Sequence, residues 1–348
     1  MPRLVLVNPH GYRLIGDRSL PLGLIFSSVY LSKEYEIEIV DLRIEKNWEK
    51  ILLKSIRKDP ICIGVTSMTG KQIGSALEVS RFIKNHTKVP VVFGGVHPSL
   101  LPSQTLENPL IDIVVQGEGE ITFYELVKAL ERRGPFEDVK GIWFKQNGKI
   151  RYTEPRPFLN FNAIPPIPYQ CVEVERYFQY GKFGKTISIV TSRGCPENCK
   201  FCYNVTSSHR RWRAFSAERV INEFKFFKKE FGVNHIMVHD DNFFADLSRV
   251  KEIAEKILHN ELIMTWEVIG AHPRMMARVG DDMLNLLDKS GLKGVAIGAE
   301  SGSQEIIDFA KKNFKIKNLL QVNRRLANTN IVPLRKCGKT PFFAIGSS

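Results

Sequence analysis

Short apolar stretches alternate with amphipathic helical stretches along the first 130 residues of the chain. The stretches that predict strands are 4–8, 37–40, 61–66, 89–93 and 111–115. Apolar positions recur at helical spacing over residues 22–32, 48–57, 73–85 and 122–132. Strands this short, rich in Val and Ile and separated by helices, are typical of a doubly wound, flavodoxin-like parallel sheet in an α/β protein.

The loops that follow three of these strands are polar and rich in glycine. Ligands of doubly wound sheets bind at the carboxyl ends of the strands. Glycines there let the backbone approach a bulky ligand, and helix N-termini suit its phosphate. His97 precedes Pro98, and structuring this turn is favoured over binding a ligand. The candidate binding residues are Ser67, Met68, Thr69, Gly94, Gly95, His97, Gly117 and Glu118.

The sequence changes character between residues 134 and 184. Two short apolar stretches flank Asn147-Gly148, which is a hairpin turn signal. Five prolines then fall between residues 155 and 168, a density that is incompatible with a helix or a sheet interior. We interpret residues 134–184 as a hairpin and a proline-rich linker between two domains.

Strand and helix patterns resume in the second half of the chain. Strands are predicted at 186–190, 235–238, 264–269 and 294–297, and Ser216 is suited to cap the first helix. Repeated units of this kind predict a parallel barrel or part of one. Residues 331–334 begin a fifth strand, which the basic and polar residues 335–341 interrupt. We therefore expect a barrel that is truncated at the C-terminus and exposes a strand edge.

Three cysteines follow the first strand of this second half. Cys195, Cys199 and Cys202 have the spacing Cys-x3-Cys-x2-Cys, with Phe201 directly before the last. Three thiolates at this spacing can hold three irons of a 4Fe–4S cubane and leave the fourth iron open. Structural zinc, with His209 as a fourth ligand, is the alternative, although the chain has no second cysteine knuckle. Six cysteines in 348 residues, without a secretory signal, argue against a disulfide framework.

The overall composition is basic, and it contains enough hydrophobic residues for two domains. The chain has a net charge of +13, and its 43% hydrophobic content is enough for two cores. The lysines are spread along helix faces, which favours a solvated basic surface over a nucleic-acid partner. No apolar run approaches the roughly 18–20 residues that span a bilayer. Since the N-terminus is not a secretory signal either, we expect a cytoplasmic protein.

The cysteine motif resembles the signature of the radical S-adenosylmethionine (SAM) enzymes. The upstream loops are similar to the cobalamin-binding domain that precedes the radical SAM barrel in one large subfamily, through Pro21-Leu-Gly-Leu, Gly94-Gly-Val-His-Pro and Gly117-Glu-Gly-Glu. The resemblance implies a cobalamin-binding domain at 1–133 and a partial (β/α)6-type barrel at 185–348. The Asp-x-His-x-x-Gly string, whose histidine binds cobalt in many such domains, is absent from this sequence. The lower cobalt ligand is therefore unassigned.

The resemblance also implies residues that hold the cofactors. The three cysteines would bind the cluster, and SAM would chelate its open iron. Arg274 is suited to pair with the carboxylate of SAM. The alternative for Asp241 is a helix N-cap before Leu247, and the alternative for Glu300 and Ser301 is a capped turn. The implied SAM-binding residues are Phe201, Asp240, Asp241, Arg274, Glu300 and Ser301.

The activity that the resemblance implies most directly is that of a cobalamin-dependent C-methyltransferase. One SAM would yield a 5′-deoxyadenosyl radical that takes hydrogen from a carbon, methylcobalamin would supply the methyl group, and a second SAM would remethylate the cobalamin. The alternatives are a radical SAM enzyme that forms a ring, one that methylthiolates, and an inactive truncated protein that still binds cobalamin or the cluster. Methylthiolation is disfavoured because Cys62 is the only cysteine in the first 170 residues. The expected partners are a small-molecule or lipid-like substrate and a reductant such as ferredoxin or flavodoxin.

Overall fold

A computed structural model describes residues 1–11 and 18–334 of the chain. Two compact units meet in sequence between Tyr177 and Phe178. The segment that was predicted to interrupt the fifth barrel strand, with Cys337, lies outside the described residues. Within the described residues, no helix is long and apolar enough to cross a membrane.

The first unit is built on one seven-stranded sheet. Its strands are β1 (Arg3–Asn8), β2 (Glu36–Asp41), β3 (Ile63–Thr66), β4 (Val91–Gly94), β5 (Ile113–Val115), β6 (Ile142–Gln146) and β7 (Lys149–Tyr152). Its helices are α1 (Leu22–Ser27), α2 (Trp48–Ile56), α3 (Lys71–His86), α4 (Val96–Leu100), α5 (Pro102–Glu107) and α6 (Gly119–Arg132). The strand order is β2-β1-β3-β4-β5-β6-β7, and β1 to β5 run parallel. The predicted doubly wound parallel sheet is confirmed.

Strand β1 shows why this sheet is buried on both faces. Leu4 and Leu6 pack into one hydrophobic cluster, whereas Val5 and Val7 pack into another. Successive side chains of a strand point to opposite faces, so a run of apolar residues serves helices on both sides. Each such side chain contributes about 1.5–3 kcal/mol by its burial. Burial on both faces holds the strands in the sheet. The polar loops lie at the strand ends, outside this core.

The predicted hairpin forms the antiparallel edge of the same sheet. Asn147 and Gly148 both have positive φ, as the tight turn between β6 and β7 requires. Strand β6 runs antiparallel to β5, which places the hairpin in the first unit. The proline-rich stretch that follows contains only short 3₁₀ turns, at Phe161–Ala163, Tyr169–Cys171 and Val174–Tyr177.

The second unit is a mostly parallel sheet with helices between its strands. Its strands are β8 (Gln179–Gly181), β9 (Gly184–Ile189), β10 (Ser192–Arg193), β11 (Arg213–Ala214), β12 (His235–Val238), β13 (Thr265–Ala271), β14 (Leu292–Ile297) and β15 (Val332–Leu334). Its helices are α7 (Asn204–Ser207), α8 (Ala217–Phe231), α9 (Leu247–His259), α10 (Pro273–Met276), α11 (Asp281–Lys289), α12 (Gln304–Phe309) and α13 (Ile316–Leu326).

The order of the main sheet in this unit is β15-β14-β13-β12-β9-β8. The strands from β9 to β15 in this sheet are parallel, and β8 pairs antiparallel with β9 at the edge. The predicted partial barrel is confirmed, and the predicted fifth strand is present as β15. Among residues 1–11 and 18–334, β15 lies at the edge of the sheet, a position where a proline such as Pro333 is tolerated.

Two helix caps set the positions of the polar residues in this unit. The hydroxyl of Ser216 accepts the N–H of Arg219 at the start of α8, as predicted. At the start of α9 the capping residue is Asp246, whose carboxylate accepts the N–H groups of Ser248 and Arg249. Asp241, which was the alternative candidate for this cap, is therefore available for another role.

Candidate functional site

The loops after β3 and β4 are joined at the carboxyl edge of the first sheet. The N–H of Ser67 donates to the carbonyl of Gly94 at 2.9 Å, and the N–H of His97 donates to the carbonyl of Ser67 at 3.0 Å. The hydroxyl of Thr69 lies 3.3 Å from Nδ1 of His97. The structure thus brings these predicted cobalamin-binding residues together, mainly through backbone hydrogen bonds.

The glycines of these loops fall into two kinds. A Cβ placed on Gly94 or Gly117 would meet nothing within 4 Å. A Cβ on Gly95, where φ is +97°, would lie 2.7 Å from the hydroxyl of Thr66. Gly94 and Gly117 therefore leave open space that a ligand can occupy. Gly95 is required by the packing of the loop itself, and its predicted role beside the ligand stays a prediction.

Three further residues at this edge have distinct surroundings. The side chain of Met68 is 59% exposed, although Gln72 Oε1 holds its N–H at 2.8 Å. Glu118 Oε2 accepts the N–H of Leu159 at 3.1 Å. Burial lowers the pKa of His97, so that its ring is neutral at pH 7. An exposed thioether, a neutral ring and open glycines suit a large, mostly apolar ligand such as the corrin ring of cobalamin.

In the second unit, a tight turn leads into the cysteine loop, residues 194–203. Gly194 has φ of +84°, and a Cβ there would lie 2.1 Å from the carbonyl oxygen of Arg211, so only glycine fits. Cys195, Cys199 and Cys202 are free thiols. Burial raises the pKa of Cys195 to about 11 and also raises the pKa of Cys199. These two thiols are protonated at pH 7, so metal binding would release protons.

The end of β12 anchors the chain at the start of this loop. Asp240 accepts hydrogen bonds from the N–H of Thr191 at 2.6 Å, its hydroxyl at 2.7 Å and the hydroxyl of Ser192 at 2.5 Å. The buried Arg249 donates to the hydroxyl of Thr191 at 2.9 Å. Burial raises the pKa of Asp240, and the Arg249 charge and these hydrogen bonds oppose that shift. Asp240 therefore fastens the segment that leads into the cysteine loop.

Asp241 connects the two ends of the cysteine loop. Its Oδ2 accepts the N–H of Gly194 at 2.8 Å, and its Oδ1 accepts the hydroxyl of Tyr203 at 2.8 Å. Gly194 directly precedes Cys195, and Tyr203 directly follows Cys202. A single carboxylate thus closes the loop around all three thiols.

Two side-chain nitrogens face the cysteine sulfurs, and the backbone N–H of Glu197 also bonds to the sulfur of Cys195. Nδ2 of Asn242 lies 3.5 Å from Sγ of Cys195, and Nε2 of His272 lies 3.9 Å from Sγ of Cys199. Nδ1 of His272 accepts the N–H of Arg274 at 3.2 Å, so the neutral ring carries its proton on Nε2. Burial lowers the pKa of His272 to about 3, and two nearby cationic side chains act in the same direction.

Arg274 pairs with the cysteine loop in this structure. Its Nε and Nη2 lie 3.0 Å and 2.9 Å from Oε1 of Glu197, whose side chain is buried. Glu197 stands between Cys195 and Cys199 in the motif. The pair therefore fixes the middle of the loop, and Arg274 has a partner other than the SAM carboxylate that the sequence suggested.

The remaining predicted residues lie around a buried lysine. Glu300 has a left-handed backbone, and its Oε1 accepts a hydrogen bond from Nζ of Lys312 at 2.8 Å. The same Nζ lies 5.3 Å from the centroid of the exposed Phe201 ring. The hydroxyl of Ser301 accepts the N–H of Ser303 at 3.0 Å, which is the capped-turn arrangement. Phe201 and Glu300 are thus brought together by Lys312.

Four of these residues were not among the sequence-based candidates. Glu197 lies inside the cysteine motif and Asn242 directly follows the aspartate pair, so position along the chain was a usable signal for both. His272 and Lys312 follow different strands, and only the fold brings them to the cysteine loop.

The three thiols are not arranged around a single metal ion. Within residues 1–11 and 18–334, no three His, Cys, Asp or Glu side chains are grouped as ligands of one ion. A structural zinc site needs four ligands around one centre. In a cubane cluster each thiolate binds a different iron. Three cysteines in one loop fixed by buried side chains are a donor set that fits a 4Fe–4S cluster whose fourth iron has no protein ligand.

Comparison with known proteins identifies both units. The B12 binding domain matches residues 15–127, and the Radical SAM superfamily matches residues 189–338. The chain is 34% identical over 305 residues to the uncharacterized methyltransferase PH0819 of Pyrococcus horikoshii, which covers 86% of this chain and 65% of that protein. It is 28% identical over 341 residues to the anaerobic magnesium-protoporphyrin IX monomethyl ester cyclase of Synechocystis, which covers 95% of this chain and 67% of that protein.

A solved structure with the same fold is that of the radical S-adenosylmethionine methyltransferase TsrM from Kitasatospora setae. It superposes with a TM-score of 0.80 at 18% identity, over 96% of this chain and 67% of that one. The chain thus spans about two thirds of the length of each of these three proteins. The chain therefore carries a B12-binding domain followed by a radical SAM domain, the combination that the sequence resemblance implied.

Proposed function

We propose that this protein is a cobalamin-dependent radical SAM enzyme that methylates a carbon atom of its substrate. The observation that carries the proposal is the cysteine loop, in which three free thiols are held by Asp241 and Glu197 within a radical SAM domain. The B12-binding domain upstream supports methyl transfer, as does the similarity to two proteins named as methyltransferases.

The residues of the second unit have the following roles in the proposal. Cys195, Cys199 and Cys202 bind a 4Fe–4S cluster. When bound, the cluster and SAM supply a 5′-deoxyadenosyl radical, and cobalamin supplies the methyl group. Phe201 and Glu300 border SAM beside the cysteine loop. The other predicted SAM-site residues act by shaping the site, namely Asp240, Asp241, Arg274 and Ser301.

The loops of the first unit hold cobalamin in the proposal. Gly94 and Gly117 leave the space for the corrin ring, and Gly95 keeps the loop in place. The other residues of the proposed site are Ser67, Met68, Thr69, His97 and Glu118. We assign no lower cobalt ligand.

The proposal extends to the partners of the reaction. The substrate is a small molecule or a lipid-like molecule, and ferredoxin or flavodoxin supplies the electron in the cytoplasm. The radical SAM family supports the need for a reductant. The basic surface, with a net charge of +13, suits an acidic electron carrier.

Ring formation by a radical mechanism is a second candidate function. It is favoured by the 28% identity to a cyclase that covers 95% of this chain. Both reactions use the same cluster and SAM, so they differ in whether a methyl group is transferred.

Reconstitution of the full chain tests the proposal. After anaerobic addition of iron and sulfide, the protein should hold one 4Fe–4S cluster and, with dithionite and SAM, release 5′-deoxyadenosine. Cys199→Ala should lose both properties, whereas Cys171→Ala, which removes a thiol outside the loop, should keep them. Stoichiometric zinc in protein purified without air, or an intact cluster in a Cys199→Ala, Cys202→Ala double variant, would contradict the assignment.

The products distinguish the two candidate reactions. With reduced cobalamin and no substrate, a methyltransferase converts SAM to S-adenosylhomocysteine, which is measured by mass spectrometry. The cyclase alternative predicts 5′-deoxyadenosine without S-adenosylhomocysteine. A protein that binds no cobalamin and forms no S-adenosylhomocysteine would rule out methyl transfer through this cofactor.

A further inference from the structure

We infer that Asn242 donates an N–H···S hydrogen bond to the sulfur of Cys195 and thereby raises the reduction potential of the cluster that Cys195 binds. The contact is 3.5 Å from Nδ2 to Sγ, within the range of hydrogen bonds to sulfur. The inference rests on the proposed function, since it concerns the cluster. Asn242 is a positioning residue in this account, because it acts through a ligand of the cluster.

The side chain of Asn242 is held in place from both sides. Of the two residues before it, Asp240 is bonded to Thr191 and Ser192 just before the cysteine loop, and Asp241 is bonded to Gly194 in that loop. The two residues after it, Phe243 and Phe244, are fully buried and pack against each other. Asn242 itself is 0% exposed. Its amide therefore cannot turn away to water, and the surrounding loop after β12 holds it against Cys195.

The chemistry of the amide decides which end faces the sulfur. A thiolate only accepts hydrogen bonds, so the NH₂ end of Asn242 fits it and the oxygen end would be repelled. With the NH₂ end toward Cys195, the Asn242 Oδ1 is buried and has no hydrogen-bond partner among residues 1–11 and 18–334. An unpaired buried oxygen is costly. A negatively charged sulfur is the acceptor that offsets this cost, because charge-assisted hydrogen bonds are the stronger ones.

A hydrogen bond to a ligand sulfur changes the redox chemistry of a cluster. The reduced cluster carries one more negative charge than the oxidised one, and an N–H dipole aimed at its ligand stabilises that charge. Hydrogen bonds to the sulfurs are among the factors that set the potentials of Fe–S clusters. The contact of His272 with Cys199 is longer, at 3.9 Å, so Asn242 makes the closer of these two side-chain contacts.

Asn242→Leu tests the inference in the reconstituted full chain. Leucine has a similar size and no N–H, so the cluster should form while its reduced state becomes less favourable. We expect about a tenfold change in the equilibrium, equal to a potential about 59 mV lower for one electron. An EPR-monitored redox titration measures this shift. Asn222→Leu on the exposed face of α8 is the matched control and should leave the potential unchanged.

A measurement on the unsubstituted protein covers the case in which the variant loses its cluster. Exchange into D₂O should shift the Fe–S(Cys) stretching bands in resonance Raman spectra, because a donor N–H becomes N–D. Absence of this isotope shift, or a fully loaded Asn242→Leu protein with the unsubstituted potential, would overturn the inference alone. If the unsubstituted protein takes up no 4Fe–4S cluster, iron and sulfide analysis shows this first, and the proposed function fails together with the inference.

Discussion

The two units place their candidate sites at the same kind of position, the carboxyl ends of parallel strands, but hold them together differently. In the first unit, the loops after β3 and β4 are joined by backbone hydrogen bonds such as that from Ser67 to Gly94. In the second unit, buried or half-buried carboxylates have this role. Asp240 holds the segment that leads into the cysteine loop, Asp241 joins the two ends of the loop, and Glu197 within the loop pairs with Arg274. One site depends on backbone shape and the other on a few charged side chains.

This difference predicts how each site responds to substitution. We call the first site backbone-shaped, because backbone hydrogen bonds hold its loops. In such a site, substitutions should weaken binding or stability mainly at glycines that leave space or have positive φ, and other side chains should tolerate substitution. A loop fixed by buried carboxylates is sensitive at each of them, because removing one leaves buried donors or a buried cation without a partner. The contrast follows from the ligands, since cobalamin presents a large surface and a cluster needs a few atoms at fixed points.

The largest expected effect is that of Asp240→Ala. The substitution leaves the donors of Thr191 and Ser192 without their acceptor, and it removes the carboxylate that compensates Arg249. A buried donor left without an acceptor costs about 1–3 kcal/mol, and three donors lose their acceptor here, so the total is about 3 kcal/mol or more. We expect the free energy of unfolding of the second unit to fall by that amount in urea titrations of the full chain.

Asp246→Ala is the matched control for this substitution. It removes a carboxylate from the same loop, which costs the cap of α9, about 1 kcal/mol, and the weaker of the two carboxylate attractions to Arg249. Equal losses of stability in the two variants would show that buried carboxylates are not what holds the second site.

Asp241→Ala should affect the cluster more than the fold. The carboxylate makes two hydrogen bonds, to Gly194 and Tyr203, that close the cysteine loop. Hydrogen bonds to charged groups contribute about 1.5–3 kcal/mol each, so cluster retention should fall at least tenfold. Iron per chain after gel filtration measures this loss. Tyr203→Phe removes only one of the two hydrogen bonds of Asp241 and should give an intermediate iron content. A full complement of iron in Asp241→Ala would show that this carboxylate does not hold the cysteine loop closed.

The sequence predicts the fold well because strand and helix periodicities are local. The apolar runs at residues 4–8 and 235–238 predict strands without any tertiary information. The hairpin turn at Asn147-Gly148 is predicted because both residue types readily adopt positive φ. The short antiparallel strand β8 has no such pattern, since it is defined by its pairing with β9.

The candidate site could be predicted only where its functional residues form a recognisable sequence motif. The spacing of Cys195, Cys199 and Cys202 identifies the cysteine loop directly. The partners of that loop depend on contacts between residues far apart in sequence, such as Arg274 with Glu197 and His272 with Cys199. No spacing rule encodes such contacts. Gly95 shows a further limit, because sequence marks a glycine without saying whether a ligand or the protein requires it.

Substitution at two adjacent glycines tests the backbone-shaped site. Gly94→Leu should weaken cobalamin binding about tenfold or more, since its side chain enters the open space that the corrin ring needs. The fold should be unaffected, because a Cβ there meets nothing within 4 Å. Gly95→Ala should instead destabilise the protein by about 1–3 kcal/mol, since its backbone is strained for other residues. Titration with hydroxocobalamin measures the loss of affinity, and urea unfolding measures the loss of stability. Unchanged cobalamin affinity in Gly94→Leu would contradict the proposal that cobalamin occupies the space beside Gly94.

The smallest expected effect is that of His97→Asn. In the backbone-shaped site the loop is held by the N–H of His97, which asparagine retains, and the ring adds one 3.3 Å contact with Thr69. We therefore expect stability to change by less than about 1.5 kcal/mol and the EPR spectrum of bound cob(II)alamin to stay the same. His86→Asn, at the exposed end of α3, is the control. If the unsubstituted protein showed the splitting of a nitrogen ligand on cobalt, and His97→Asn alone lost it, the first site would also depend on a side chain, and the contrast between the two units would no longer hold.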